Sequence, residues 1–352
     1  MNEGFQSGLV KSLIGRGHHS PFDHFMLNLN FSGIEKAVAM VFNNQGVYTT
    51  SEKSARYTVM KDVSEHQKGL YGKWNDWFHD EISSRFPESD FPRLHKKGSD
   101  GKTSAEKLSQ ENARYMTSVF TPTIMTHSVS WRQLNILYHG FNDFIEENGD
   151  SNYMFNRELG EGMKSFVDSP VVNDWVIDEA QVRMKGGIPL RFIRDGPVEE
   201  HFGEDVYSTN YKASFASLAQ LHRHRLAIYD ICGKVLSGSP EGVYVPSLVE
   251  AAGVVDEWKR DLEDVSAYDF PQAQLLNIGE RGMREHLRAK SLERECGLVQ
   301  LETAKIVDSV LTKYGEVIPS MKELANPACV VEGGCKKGGC VFGPEKYLDR
   351  LI

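Results

Sequence analysis

Arg223-His224-Arg225 lies in the stretch Leu221-His222-Arg223-His224-Arg225-Leu226, and two arginines flanking a histidine can grip an anion. Guanidinium forks bind phosphate oxygens bidentately, at a desolvation cost that no fold needs for stability alone. Far upstream stands Ser51-Glu52-Lys53-Ser54-Ala55-Arg56-Tyr57, which offers a carboxylate, hydroxyls and a further arginine. Two more basic positions occur in Glu111-Asn112-Ala113-Arg114-Tyr115 and in Arg294-Glu295-Cys296-Gly297-Leu298-Val299-Gln300-Leu301-Glu302. A net charge of -9 and a pI near 5.8 argue against a broad nucleic-acid surface, which needs clustered Lys and Arg. Any anion site is therefore local. Taken singly, the triplet reads most often as a solvated helix end.

The elements that would position these residues are partly legible. Phe25, Leu27, Leu29 and Phe31 alternate with Met26, Asn28 and Asn30, the period of a half-buried strand, directly after His18-His19-Ser20-Pro21-Phe22-Asp23-His24. Ile34 to Phe42 then reads as a short helix. In the second half, a helix from about Ser214 is expected to carry Arg223-His224-Arg225 near its end. Leu301, Ala304, Val307, Val310, Leu311 and Tyr314 recur at helical spacing and predict a late amphipathic helix. Pro92 to Gln110, rich in Lys, Ser, Asp and Gly, reads as an exposed insertion, and Ser151 to Gly187 as a crossing between halves. At 352 residues the chain is long enough for two domains, and 40% hydrophobic with 25% charged residues fits a globular protein. No apolar run approaches the roughly 20 residues that span a bilayer, and the N-terminus lacks a signal-peptide pattern. A cytoplasmic protein with no membrane or nucleic-acid partner is the expectation.

The motifs resemble those of the flavin-dependent thymidylate synthases. There Arg-His-Arg-x7-Ser forms one signature, within a pattern ending Ser-x-Arg-Tyr. In this chain the pieces are split. Counting back from Ser54 puts the expected Arg-His-Arg on Asn44-Gln45-Gly46, and counting forward from Arg225 puts the expected Ser on Gly233. Glu111-Asn112-Ala113-Arg114 resembles the family's nucleotide-binding segment, and the second half's counterpart near Ala267 has no such Arg. Arg294, with Gln300 and Glu302, resembles the late Arg-x5-Gln-x-Glu, whose Arg falls on Phe141 in the first half. Gln220 fits a further family position that Val41 occupies upstream. His18 to His24 resembles the family's entry segment, with Asp23 for Glu, and its second-half counterpart is blurred to Gly196 to His201.

The resemblance implies an α/β (α+β) chain of two tandem, diverged synthase-like repeats, 1–182 and 183–352, each a mostly antiparallel sheet with flanking helices. It further implies FAD-dependent C5 methylation of a pyrimidine nucleotide of the dUMP-to-dTMP type, with methylenetetrahydrofolate and NADPH as co-substrates. Glu52, Ser54, Arg56 and Arg114 of one repeat and Gln220, Arg223 and Arg294 of the other would hold the nucleotide, with Ser54, Arg223 and Arg294 at the chemistry. Arg223, His224, Arg225, His18, Ser20, Asp23, Ser130 and Arg132 would meet the flavin. Arg132 reads equally as a surface ion-pair former, and His18 and His24 as structural histidines. Ser51 and Ser130 replace family asparagines. A different pyrimidine, hydroxymethyl transfer, or a non-catalytic nucleotide- or flavin-binding regulator are the alternatives. Two pseudo-subunits per chain imply a homodimer where the family is tetrameric.

Cys329, Cys335 and Cys340 crowd into a Gly-rich tail, whereas Cys232 and Cys296 are isolated. Three thiols make a zinc or iron–sulfur site only with a fourth ligand; otherwise they form a free-thiol tail. None of the five falls on a matched pocket position, so no cysteine nucleophile is expected. Cys296, two residues after Arg294 on one helix, would face away from it.

Overall fold

The computed structural model describes residues 3–46, 48–54, 63–177, 190–324, 326–331, 340–342 and 350–352. The chain divides into two compact units: residues 1–53 with 122–192, and residues 54–121 with 193–352. Segment 54–121 of the first half thus folds with the second half. The 182/183 division concerns repetition in the sequence, and the compact units follow a different line.

The first unit is built on strands β1 (Met26–Glu35), β2 (Thr49–Glu52) and β3 (Pro122–Ser130), antiparallel in the order β1-β3-β2. Leu29 is buried and Leu27 and Phe31 are half-buried, while Met26, Asn28 and Asn30 are exposed, as alternation predicts; Phe25, expected on the inward face, precedes the strand and is exposed. The strand runs beyond the expected Phe31, because the register shifts between Ser32 and Ile34. Gly33, at φ +88°, supplies the left-handed backbone there. The bulge carries pairing on to Glu35, so the following helix begins at Lys36 instead of Ile34. Phe42 on that helix packs its ring 5.0 Å from Phe141 and 5.1 Å from Phe166 and Phe31.

The second unit holds a five-stranded sheet of β4 (Ile193–Arg194), β5 (His201–Phe202), β6 (Val206–Ser214), β7 (Ile228–Cys232) and β8 (Leu275–Met283). Its order is β4-β7-β8-β6-β5, antiparallel except for the β4/β7 pair. The late helix spans Leu301–Val317 and buries all six residues of its expected stripe. A second core gathers Trp74, Phe78, Leu94, Ala105 and Trp258, with the Trp74 and Trp258 rings 4.8 Å apart.

Three expectations are corrected here. Pro92 to Gln110 is no exposed insertion. A capping box between Thr103 and Glu106 starts the helix Ser104–Ala113, and Leu94, Ala105 and Leu108 join the core; Pro92, Arg93 and the turn around Ser99 are solvated. Arg223-His224-Arg225 is not on a helix. The helix Phe215–Leu221 stops first, since beyond the buried His222 the next apolar residue, Leu226, is 59% exposed and offers no burial to extend it. Arg294 and Cys296 share no helix either: Arg284–Arg294 ends at Arg294, with buried Glu295 as its C-cap and Gly297 beyond. Among the described residues no helix is long and apolar enough to cross a membrane.

Candidate functional site

Four segments distant in sequence meet inside the second unit. Arg114 follows the helix Ser104–Ala113 as its C-cap, Gln220 sits in the last turn of Phe215–Leu221, and Arg294 closes Arg284–Arg294. Gln300 stands at the N-cap of Leu301–Val317 and Glu302 in its first turn. Arg114, Gln220, Gln300 and Glu302 are all buried. Gln300 is the hub: its Oε1 accepts from Arg114 Nη2 and Gln220 Nε2, and its Nε2 donates to the Tyr115 hydroxyl. Tyr115 in turn donates to Glu302 Oε2 at 2.6 Å, and Ser214 donates to both Glu302 oxygens, from its N–H and Oγ, at 2.7 Å each. Arg294 Nη2 lies 3.4 Å from the Gln220 carbonyl oxygen, and Arg114 Nη2 lies 3.5 Å from that of Ala216. These carbonyls help orient the guanidinium groups, and Arg294 Nη1 also lies 3.8 Å from Glu293 Oε2.

Burial pushes the Glu302 carboxyl above its ordinary range, against the hydrogen bonds from Tyr115 and Ser214. Burial, with the Glu302 charge beside it, pushes the Tyr115 hydroxyl well up too, so it stays protonated and donating. A small cleft adjoins the network, lined by Glu111, Asn112, Tyr244, Gln300 and Ile352.

The Arg-His-Arg turn opens beside this network. Arg223 and Arg225 are exposed and His224 is half-buried, its Nε2 3.4 Å from Glu293. A cationic turn with two exposed guanidinium groups fits the phosphate part of a dinucleotide by the chemistry of its donors.

In the first unit the structure joins Asp23, Ser130 and Arg132. Ser130 donates to Asp23 Oδ1 at 2.9 Å while capping the helix Trp131–Asn148 through the Gln133 N–H, and Arg132 Nη1 bonds Asp23 Oδ2 at 3.1 Å. His18 and Ser20 are exposed on the segment just before. Glu52 ends β2, where Lys36 donates to it, and Ser54 is half-buried. Arg56 lies outside the described residues. Sequence reasoning quoted Tyr115, Gln300 and Glu302 within motifs without assigning them to the site, although polar residues flanking two arginines in matched segments were the available signal.

The first-half positions on which the repeat reading expects arginines have structural work. Phe141 is core. Asn44 and Gln45 are buried, and both donate to the Arg191 carbonyl, Asn44 at 2.7 Å; Gln45 Oε1 accepts from the Arg191 N–H at 3.0 Å. Gly46 takes φ +75° against Gln133, whose amide donates to the Gln45 carbonyl at 2.7 Å. Gln45→Ala is expected to cost about 0.5–1.5 kcal/mol of stability, as the half-buried Arg191 N–H loses its acceptor while its carbonyl keeps Asn44. Nucleotide and flavin affinity should stay at wild-type values. A thermal melt together with a nucleotide titration checks both, and an affinity loss matching that of Arg223→Ala would reverse the choice of live half.

Cys232 is buried, and burial raises its thiol above the ordinary range, a poor setting for a nucleophile. Cys296 lies in the turn after Arg294. Among the described residues no group of His, Cys, Asp or Glu is placed to hold a metal, and Cys335 lies outside them. A 5-fluoropyrimidine nucleotide should trap no covalent adduct on any cysteine in mass spectra of the intact chain, and an adduct on Cys296 would overturn the mechanism.

Residues 1–140 match the family described as thymidylate synthase complementing protein (Thy1), the flavin-dependent type to which the motifs point. No curated protein matches the chain.

Proposed function

We propose that this chain, whose first 140 residues match the thymidylate synthase complementing protein family, catalyses FAD-dependent C5 methylation of a pyrimidine nucleotide. The observation that carries the reading is one buried network that unites Arg114 of the first half with Gln220 and Arg294 of the second through Gln300. Each half lacks what the other brings.

In this reading Arg223 and Arg294 grip the nucleotide phosphate and pyrimidine carbonyl, where guanidinium groups also stabilise the negative charge that builds as C5 and C6 react. Arg114, held by Gln300, closes the opposite side. Ser54, Glu52 and Arg56 complete the nucleotide's hydrogen bonds. His224 and Arg225 hold the flavin. When bound, FAD supplies the hydride that reduces the carbon donated by methylenetetrahydrofolate, with NADPH as the reductant. With Phe141 and the Asn44–Gln45 clamp in the other set, one competent site per chain follows, and a homodimer would carry two.

The test is a spectrum. Purified protein should be yellow with one FAD per chain, bleach on NADPH addition with oxygen excluded, and regain its colour under those conditions only with methylenetetrahydrofolate and dUMP. Two FAD per chain would refute the single-site argument. A colourless protein that only binds nucleotide would replace the enzyme with a regulator.

A further inference from the structure

The helix that ends at Arg294 also carries a buried charge cluster, one turn back at Lys290. Glu280 on β8 and Lys290 on the helix Arg284–Arg294 are both buried. Lys290 Nζ donates to both Glu280 oxygens at 2.6 Å, the Tyr211 hydroxyl donates to Oε2, and the Tyr207 hydroxyl to Oε1. The register explains the meeting. Thr209 on β6 lies opposite Glu280, so Tyr207 and Tyr211, two residues to either side, share its face of the sheet. Tyr229 on β7 lies opposite Glu280 from the other side, with its ring 5.2 Å from Lys290 Nζ. Burial pulls the Lys290 ammonium below its ordinary range while Glu280 opposes the shift, and both tyrosines are pushed well up and remain donors.

For stability alone, packed apolar side chains would serve as well as this pair or better. What the pair adds is placement. Lys290 and Arg294 are one turn apart and share a face of the helix. The same helix meets the Arg-His-Arg turn twice: His286 Nδ1 lies 3.0 Å from the Leu226 carbonyl oxygen, and Glu293 lies 3.4 Å from His224. Its last residue lies against Gln220. An apolar contact would let the helix slide by fractions of an ångström at little cost. Two charge-assisted bonds and two hydroxyl bonds on one carboxylate resist sliding, because any shift leaves buried charge unpaired.

We propose that Glu280 and Lys290, with Tyr207 and Tyr211, are positioning residues that fix the register of this helix and thereby aim Arg294 and His224 at the bound nucleotide and its flavin. The inference rests on reading the site as a nucleotide site. Its test is calorimetric titration of dUMP into the full-length, flavin-loaded protein. Lys290→Met combined with Glu280→Gln removes both charges at nearly constant volume and leaves the tyrosines an acceptor. The double variant should keep its helical circular dichroism and weaken dUMP binding about tenfold, the scale at which sub-ångström misplacement acts. In an Arg294→Ala background the same pair of changes should add little, since the contact it aims is gone.

A full additional loss in that background, or wild-type affinity in the double variant, overturns the proposal. If the double variant fails to fold, Tyr211→Phe carries the comparison, with a loss of about threefold expected and non-additivity with Arg294→Ala again required; wild-type affinity or full additivity there overturns it equally. Absence of dUMP binding by the wild type overturns the functional reading and this inference with it, whereas binding that is insensitive to these variants overturns the inference alone.

Discussion

Arg223→Ala is expected to lower kcat/KM for the proposed pyrimidine nucleotide by about 10- to 150-fold and to leave the melting temperature unchanged. A charge-assisted hydrogen bond contributes roughly 1.5–3 kcal/mol, and a contact made to both ground and transition state appears in full in kcat/KM. Arg223 is exposed and follows the end of its helix, so its loss opens no cavity and strands no buried partner. That separation of activity from stability is what distinguishes a ligand-gripping arginine from a structural one. Arg294→Ala should match it in kcat/KM, with some loss of stability because Arg294 also bonds the Gln220 carbonyl. Steady-state kinetics with dUMP and a thermal melt on each variant suffice. A fall in melting temperature with Arg223→Ala and unchanged kcat/KM would remove the triplet from the site.

The comparison of residues with elements shows what a sequence of this kind carries. Periodicity was enough for the Leu301–Val317 stripe and for the β1 alternation, because each depends on burial of one face and neighbouring side chains alone decide it. Motif order puts Arg114, Gln220 and Arg294 in one expected site, and hydrogen bonds link the three in the structure. The ends of elements were not legible. The helix before Arg223 stops where tertiary burial stops, and β1 continues past Phe31 because a single glycine permits a bulge; neither depends on propensity. Polar composition misled at Pro92 to Gln110, where two buried apolar positions and a capping box outweigh a run of lysines and serines. The Glu280–Lys290 pair was hidden for a related reason: its members are ordinary surface residue types, and only cross-strand register puts them on one buried face.

Glu302→Ala is expected to destabilise the chain by about 3–5 kcal/mol, the range for breaking a buried, hydrogen-bonded charge. One carboxylate accepts from the Ser214 N–H, the Ser214 hydroxyl and the Tyr115 hydroxyl, and all three donors are buried with it. Each buried donor left without an acceptor costs about 1–3 kcal/mol. The damage also reaches the ligand side. Ser214 caps the helix Phe215–Leu221 through the Ser217 N–H, and that helix holds Gln220 against Gln300; Tyr115 adjoins Arg114 and accepts from the same Gln300. Loosening either end should weaken dUMP binding beyond what the stability loss explains. Glu302→Gln separates the effects: it keeps one acceptor oxygen and the side-chain volume, so it should lose less than half the stability lost by the alanine variant. Its amide donors would face donors at Ser214 or Tyr115, and nucleotide affinity should fall severalfold. Urea titration of both variants beside dUMP calorimetry decides the matter. If Glu302→Ala unfolds at the wild-type urea midpoint, those donors have other acceptors, and Glu302 does not hold the network that joins the two halves of the site.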